Sequence, residues 1–317
     1  MRGPILFQTS SFERLANEIA AACPNLQRGS YETTCFLNGE RYVTLSTTVE
    51  RAPCIVLGTI APPAEQFLET LLLTDTLHRY GAASVELLLP YFAYSRHDKG
   101  GGGRSIAFPL MKRLIGVAGV SRIITIDLHA PTVALGDGPP IVSLDPSPLF
   151  ARALAPYRPE SVSFVAPDRG ALRRADAVRR ASRNENLLIE ADKHRTAGGV
   201  QTVLRGKPTP TCIIIDDILD TGGTLLEVVD QLTRAGATRF IICASHGLFT
   251  ERRWEELWSR GVERIYTLDT IGDPPPPPDP RITVLSCAHL LSREFERYAA
   301  SKQREGEARR DVGGVAS

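Results

Sequence analysis

Apolar positions fall into two kinds of run that take turns along the chain. Short stretches rich in Val, Ile and Leu, such as Ile5–Phe7, Cys54–Leu57, Val85–Leu89, Arg122–Ile126, Ser163–Ala166, Cys212–Ile215, Phe240–Ala244 and Arg264–Leu268, read as strands buried on both faces. Between them the spacing changes to the helical period. Phe12–Ala22 carries Leu15, Ile19 and Ala22 on one face; Glu65–Tyr80 is strongly periodic and stops at Gly81; Leu110–Val117 and Ala171–Arg183 follow the same rule. Leu225, Val228, Val229 and Leu232 then mark one face of a helix at i, i+3, i+4 and i+7. Asn38-Gly39 accepts positive φ and predicts a turn into a strand over 41–46. Leu187–Glu190 is a strand leading into a glycine-containing loop, and a last strand-helix unit runs from Ile282 to about Tyr298.

Strands alternating with helices predict parallel pairing in a doubly wound sheet. The alternation restarts after Pro146–Pro148, so the economical division is two α/β halves, 1–147 and 148–300. A charged, glycine-containing tail, 301–317, is expected to be disordered.

Composition narrows the function classes. A formal net charge of +1 over 317 residues provides no field of the size a polyanion partner needs, so nucleic acid is disfavoured. The six cysteines show no C-x-x-C spacing and several sit in apolar runs, which predicts buried thiols in a reducing compartment. No run approaches the ~18 uninterrupted apolar residues of a spanning helix. The expectation is a soluble, cytoplasmic protein with no membrane partner.

The chemistry concentrates at one junction. The buried run Cys212–Ile215 arrives at Asp216 and Asp217, and Asp220-Thr221-Gly222-Gly223-Thr224 turns directly into a helix. A helix N-terminus behind a glycine turn presents backbone N–H groups and a positive dipole end, and two threonine hydroxyls join them, a set suited to a phosphate monoester. The two carboxylates repel phosphate and suit vicinal hydroxyls instead. Together they describe a pentose 5-phosphate. Adjacent strand residues point to opposite faces, so both acids meet one ligand only if Asp217 already belongs to the loop.

This stretch resembles the phosphoribosyl diphosphate (PRPP) motif of type I phosphoribosyltransferases and PRPP synthetases. Over about residues 4–300 the chain is similar to the ribose-phosphate diphosphokinase (PRPP synthetase) family. Further blocks carry the resemblance: Phe36-Leu37-Asn38-Gly39-Glu40, Pro90 to Asp98, Asp127-Leu128-His129, Pro167-Asp168-Arg169-Gly170, Lys193-His194-Arg195 and Ser245-His246-Gly247. The resemblance implies two tandem type I phosphoribosyltransferase-like domains, each a mainly parallel sheet flanked by helices. It implies diphosphoryl transfer from ATP to ribose 5-phosphate with Mg2+ as cofactor, in a homo-oligomer, a dimer or hexamer. Lys193, Arg195 and His129 are then the catalytic candidates. Asp216, Asp217, Asp220, Thr221, Gly222, Gly223, Thr224 and Asp168 would bind ribose 5-phosphate or PRPP. Phe36, Asn38 and Glu40, from a neighbouring subunit, with Arg96, His97 and Asp98, would bind ATP. His129, Asp168 and Asp127 would hold metal.

Diphosphoryl transfer needs positioning and charge neutralisation more than covalent help. Lys193 and Arg195, on a loop followed by Ala197-Gly198-Gly199, are placed to clamp the transferring group. The helix bearing Arg173, Arg174, Arg179, Arg180 and Arg183 reads as a solvated or subunit-pairing face. Some positions depart from the family pattern: Gly100–Gly103 replaces a charged stretch, His97 stands for Gln, and Ile106 for Pro. Weak phosphate activation and weak ADP inhibition are expected from that replacement. Three alternatives stay open: a transferase that consumes PRPP, a non-catalytic regulatory subunit, and a paralogue acting on another pentose phosphate.

Overall fold

The computed structural model describes residues 3–97, 102–129, 136–157, 161–186, 188–196, 199–272 and 276–296, and within 193–202 the backbone alone. Asp98, Gly100, Gly101, the tail 301–317 and the side chains of Lys193 and Arg195 lie outside what it describes.

Two sheets organise the chain. The first contains β1 (Ile5–Gln8), β2 (Gln27–Arg28), β5 (Pro53–Leu57), β6 (Ser84–Leu88), β7 (Arg122–Ile126) and β8 (Ile141–Leu144). They lie in the order β2-β1-β5-β6-β7-β8, all parallel. The helices α1 (Glu13–Ala22), α2 (Ala64–Arg79) and α3 (Ala107–Val117) make its crossovers, while β3 (Tyr31–Cys35) and β4 (Arg41–Leu45) form a separate antiparallel hairpin. The second sheet follows α4 (Ser147–Ala153) and contains β9 (Val162–Ala166), β10 (Leu188–Thr196), β11 (Gly199–Arg205), β12 (Thr211–Leu219), β13 (Arg239–Gly247), β14 (Val262–Leu268) and β15 (Ile282–Leu285). Its order is β11-β10-β9-β12-β13-β14-β15, parallel except where β11 turns back on β10. Helices α5 (Leu172–Ala181), α6 (Gly223–Arg234) and α7 (Glu256–Ser259) complete it, and residues 288–296 are helical.

The period of two within each strand explains how the sheets meet. Leu6, Ile55, Leu57, Leu88 and Ile124 on one face of the first sheet share a core with Phe164, Ile213, Ile215 and Ile241 on one face of the second. Residues of α1, α4, α5 and 288–296 fill the layer between. The alternate residues point away: Phe7, Val56 and Leu87 enter a core belonging to the first half, and Val165, Ile214 and Ile242 enter one belonging to the second. Strands covered on both faces must be apolar throughout, which is the origin of the unbroken runs in the sequence. Each fully buried Ile or Leu of these strands contributes about 1.5–3 kcal/mol.

Several expectations change. The segment after Glu190 is a hairpin and not an open loop: Lys193 pairs with Thr202 and Arg195 with Val200. A parallel sheet edge leaves unpaired N–H and C=O groups at β10, and β11 satisfies them. Helix α5 ends at Ala181, before the predicted Arg183, which takes φ 55°. Five cysteines are buried as expected, but Cys35 is exposed, because β3 belongs to the peripheral hairpin and not to a sheet covered on both sides. The proposed division between 147 and 148 falls within the first residues of α4.

Candidate active site

Strand β12 carries the acids to the seam between the two halves. Ile213 and Ile215 pack inward, and the strand continues through Asp216 and Asp217 as far as Leu219. Asp217 is therefore still in the strand, contrary to the requirement that it belong to the loop. The turn that follows needs glycine at one point: Gly222 takes φ 83°, and a Cβ there would stand 2.8 Å from the Cα of Trp254. Gly222 is the N-cap of α6.

A cavity of about 210 Å³ opens over this turn. Asp216 to Leu225 line it from the second half together with Asp168, and Arg96 and His129 line it from the first. Predicted residues separated by as many as 128 positions thus come together. Arg96 donates to Asp220 Oδ2 at 2.8 Å. His129 Nδ1 lies 2.6 Å from Asp217 Oδ2. Asp168 uses Oδ1 to cap the backbone N–H of Ala171 at 3.0 Å.

Electrostatics separates the paired acids. Burial alone would raise Asp217, but the His129 hydrogen bond and the Arg174 charge reverse this and hold it below the usual carboxylate range. Burial pushes Asp216 well above that range, and the adjacent Asp217 charge adds to the effect. Asp217 therefore carries the negative charge, and accepts from Nδ1–H of His129. Burial also opposes the charges of Asp220 and Arg96, yet their mutual bond lowers the acid and raises the guanidinium; Thr250 adds a further bond to Asp220.

Some predicted residues stand elsewhere. Phe36, Asn38 and Glu40 occupy the β3–β4 turn and are exposed, with Phe36 against Tyr42 at 5.3 Å; none of them lines the cavity. His97 packs edge-on against Tyr94. Asp127 does not face an open metal position, because Arg174 Nε donates to both its oxygens at 3.0 Å and Ser245 Oγ donates to Oδ2 at 2.5 Å. Arg174 itself corrects the reading of its helix as a solvated face. Its side chain is only 13% exposed and reaches the seam, while Arg173 and Arg180 are exposed. A signal was present: Arg174 lies three residues after Ala171, the residue that precedes α5, and four before Val178, and both are buried.

A second cavity, about 300 Å³, also lies at the seam, beside the Arg14–Asp269 ion pair, with Phe12, Leu15 and Leu268 among its walls. It contains no phosphate-type turn.

Two α/β sheets, with paired acids and a glycine-threonine turn lining a cavity at their seam, point to a phosphoribosyl-handling class of enzyme. Comparison with known proteins makes the assignment specific. The model of the N-terminal domain of ribose phosphate pyrophosphokinase matches residues 4–119, and that of the phosphoribosyl transferase domain matches 149–277. A protein of Thermotoga maritima named ribose-phosphate pyrophosphokinase is 33% identical over 293 residues, covering 90% of each chain. One of Gloeobacter violaceus with the same name is 30% identical over 297 residues, covering 92% of this chain and 89% of that one. The crystal structure of phosphoribosylpyrophosphate synthetase from Mycobacterium smegmatis superposes with a TM-score of 0.84 at 28% identity, over 94% of this chain and 99% of that chain. The chain belongs to the ribose-phosphate pyrophosphokinase family. Among the described residues, no helix is long and apolar enough to cross a membrane.

Proposed function

We infer that the protein transfers the diphosphoryl group of ATP to the anomeric hydroxyl of ribose 5-phosphate, releasing AMP and PRPP. The observation that carries this is the cavity over Asp220–Thr224, walled by residues of both halves. The 5-phosphate sits in the turn, against the first amides of α6 and the hydroxyls of Thr221 and Thr224. Asp216 accepts from the ribose hydroxyls. Asp217 is already engaged by His129 and Arg174 and serves to orient the imidazole.

The donor set fits a magnesium ion of the kind that uses few protein ligands. Among the described residues no three His, Cys, Asp or Glu side chains form a metal cluster, and Mg2+ commonly takes one or two carboxylates, leaving the remaining positions to phosphate oxygens and water. Asp168 and Asp216 provide hard oxygens, and a histidine held by a carboxylate at Nδ1, as His129 is, has the arrangement of a metal-linked imidazole. Asp127 does not fit. When bound, Mg2+ would neutralise charge on the transferring phosphates.

Lys193 and Arg195 sit on the β10–β11 hairpin, the arm that extends the second sheet beyond β9, and we assign them to the transferring group. The exposed Phe36 with Asn38 and Glu40 would meet the adenine of ATP bound to a neighbouring copy, with Arg96 and His97 on the copy's own side. A homo-oligomer follows from that arrangement, and a cytoplasmic location suits its substrates.

Incubation with ATP, Mg2+ and ribose 5-phosphate will yield AMP and PRPP one to one; ADP as the product rejects the reading. Lys193→Ala will lower kcat by at least ~100-fold with a modest effect on ribose 5-phosphate binding, as loss of a transition-state contact does. Rapid-quench assays on the variant check this, and an unchanged kcat removes the residue from the mechanism.

A further inference from the structure

Arg174 occupies the first turn of α5, where a cation opposes the helix dipole, and it is nearly buried there. The residues it meets account for the position. Its Nε bonds both oxygens of Asp127, and a terminal nitrogen stands 3.5 Å from Asp217. One guanidinium thus spans two carboxylates, one from each half of the chain. Burial alone would lower Arg174, and the charges of Asp127 and Asp217 more than reverse this.

Asp127, the residue after β7, takes φ 44°, in the left-handed region that a non-glycine residue seldom occupies. That turn sends Leu128 into the core, where its N–H donates to Ser143 Oγ at 3.0 Å, and delivers His129 to the cavity. His129 then meets Asp217, the second carboxylate Arg174 attends. The imidazole is consequently fixed twice through the same arginine: along the backbone from Asp127, and across the seam from Asp217. Both oxygens of Asp127 are occupied by donors, so a cation binding there would have to displace a guanidinium and leave its charge buried without compensation.

We propose that Arg174 is a positioning residue that sets the His129–Asp217 pair across the seam, and that Asp127, with Ser245, is its anchor and not a ligand of the reaction's divalent cation. The proposal rests on the diphosphokinase reading of the cavity.

The test compares the full-length protein with Arg174→Met, Arg174→Lys, Asp127→Asn and the double variant Arg174→Met/Asp127→Asn. Steady-state kinetics, Mn2+ binding followed by electron paramagnetic resonance without nucleotide, and melting temperatures are measured on each. Arg174→Met and Asp127→Asn are each expected to lower kcat by about 10–100-fold, the usual cost of losing a group that orients a ligand. KM should stay within about three-fold, and the double variant should fall no further than the worse single one, as coupled residues require. Arg174→Lys recovers part of the loss, because an ammonium meets one carboxylate but cannot span two. Asp127→Asn should keep Mn2+ affinity within about two-fold of the parent, whereas removing a direct ligand would lower it far more. A ten-fold or greater loss of Mn2+ affinity confined to Asp127→Asn, or kinetic losses that multiply in the double variant, overturns the proposal. If the parent itself makes no PRPP, the diphosphokinase reading fails, and melting temperatures still decide the anchor. A double variant melting no lower than the worse single one supports it; additive losses reject it.

Discussion

The two strand-to-helix junctions that build the second half of the site use the same parts to opposite ends. After β9, Asp168 folds its own carboxylate onto the N–H of Ala171, and the opening turn of α5 contributes a cation, Arg174. After β12, the cap is Gly222 with no side chain to offer, and the first turn of α6 lines the cavity with Thr221 and Thr224 beside it. The short 3-10 turn that leads into α5 is capped from within the chain; the start of α6 is left for an anion from outside. An α/β fold supplies many helix N-termini, so the fold alone does not choose the phosphate site. The choice lies in whether the preceding residue consumes the amides.

The largest effect expected on that contrast is at the closed junction. Arg174→Met leaves two carboxylates of the seam without their partner, which costs about 3–5 kcal/mol near neutral pH for a broken buried pair. Asp217 is depressed in the folded state, so its contribution is present above the ordinary Asp value of about 3.9 and is lost as pH falls through its lower folded value. The gap between denaturant melts of the parent and the variant should therefore be widest above about pH 5 and narrow progressively as the pH falls from there toward the depressed value of Asp217. A gap constant with pH would mean that Arg174 stabilises by packing alone.

At the open junction, Gly222→Val forces a side chain against Trp254 at a positive φ. Displacing the turn removes at least two charge-assisted bonds of about 1.5–3 kcal/mol each, so ribose 5-phosphate affinity should drop by ~100-fold or more in calorimetry. Unchanged binding would place the phosphate elsewhere. The smallest effect separates capping from charge. Asp168→Ala should lose about 1 kcal/mol of stability while Asp168→Asn stays near the parent, because either Asp or Asn caps a helix. If both lose activity while only Ala loses stability, the carboxylate serves the reaction as well as the helix.

What could be read in advance divides along sequence distance. The strand, glycine turn and helix of 212–232 are local, each residue type set by its immediate backbone need, and their succession was legible from the sequence. The partners of Arg174 were not, because Asp127 lies 47 residues upstream and the Ser245 that also holds it is on a strand beyond β12. Its place between buried Ala171 and Val178 sets it apart from the other arginines of α5, but does not say what it meets. Strand β11 was missed for a different reason. Gly198 and Gly199 suggest slack, whereas the edge of β10 needs a pairing partner, a demand that no window of the sequence reveals. The exposure of Phe36 and Leu37 follows likewise from the hairpin standing apart from both sheets.

The central core has a bearing on how the chain comes off the ribosome. Leu291 and Phe295 pack in the same cluster as Leu6 and Ile55, and Arg122 of β7 is gripped by Glu294 as well as Glu86. One apolar face of the earliest strands thus stays open until residues 288–296 have been made, and a nascent chain stalled before residue 288 would present a greasy surface to chaperones.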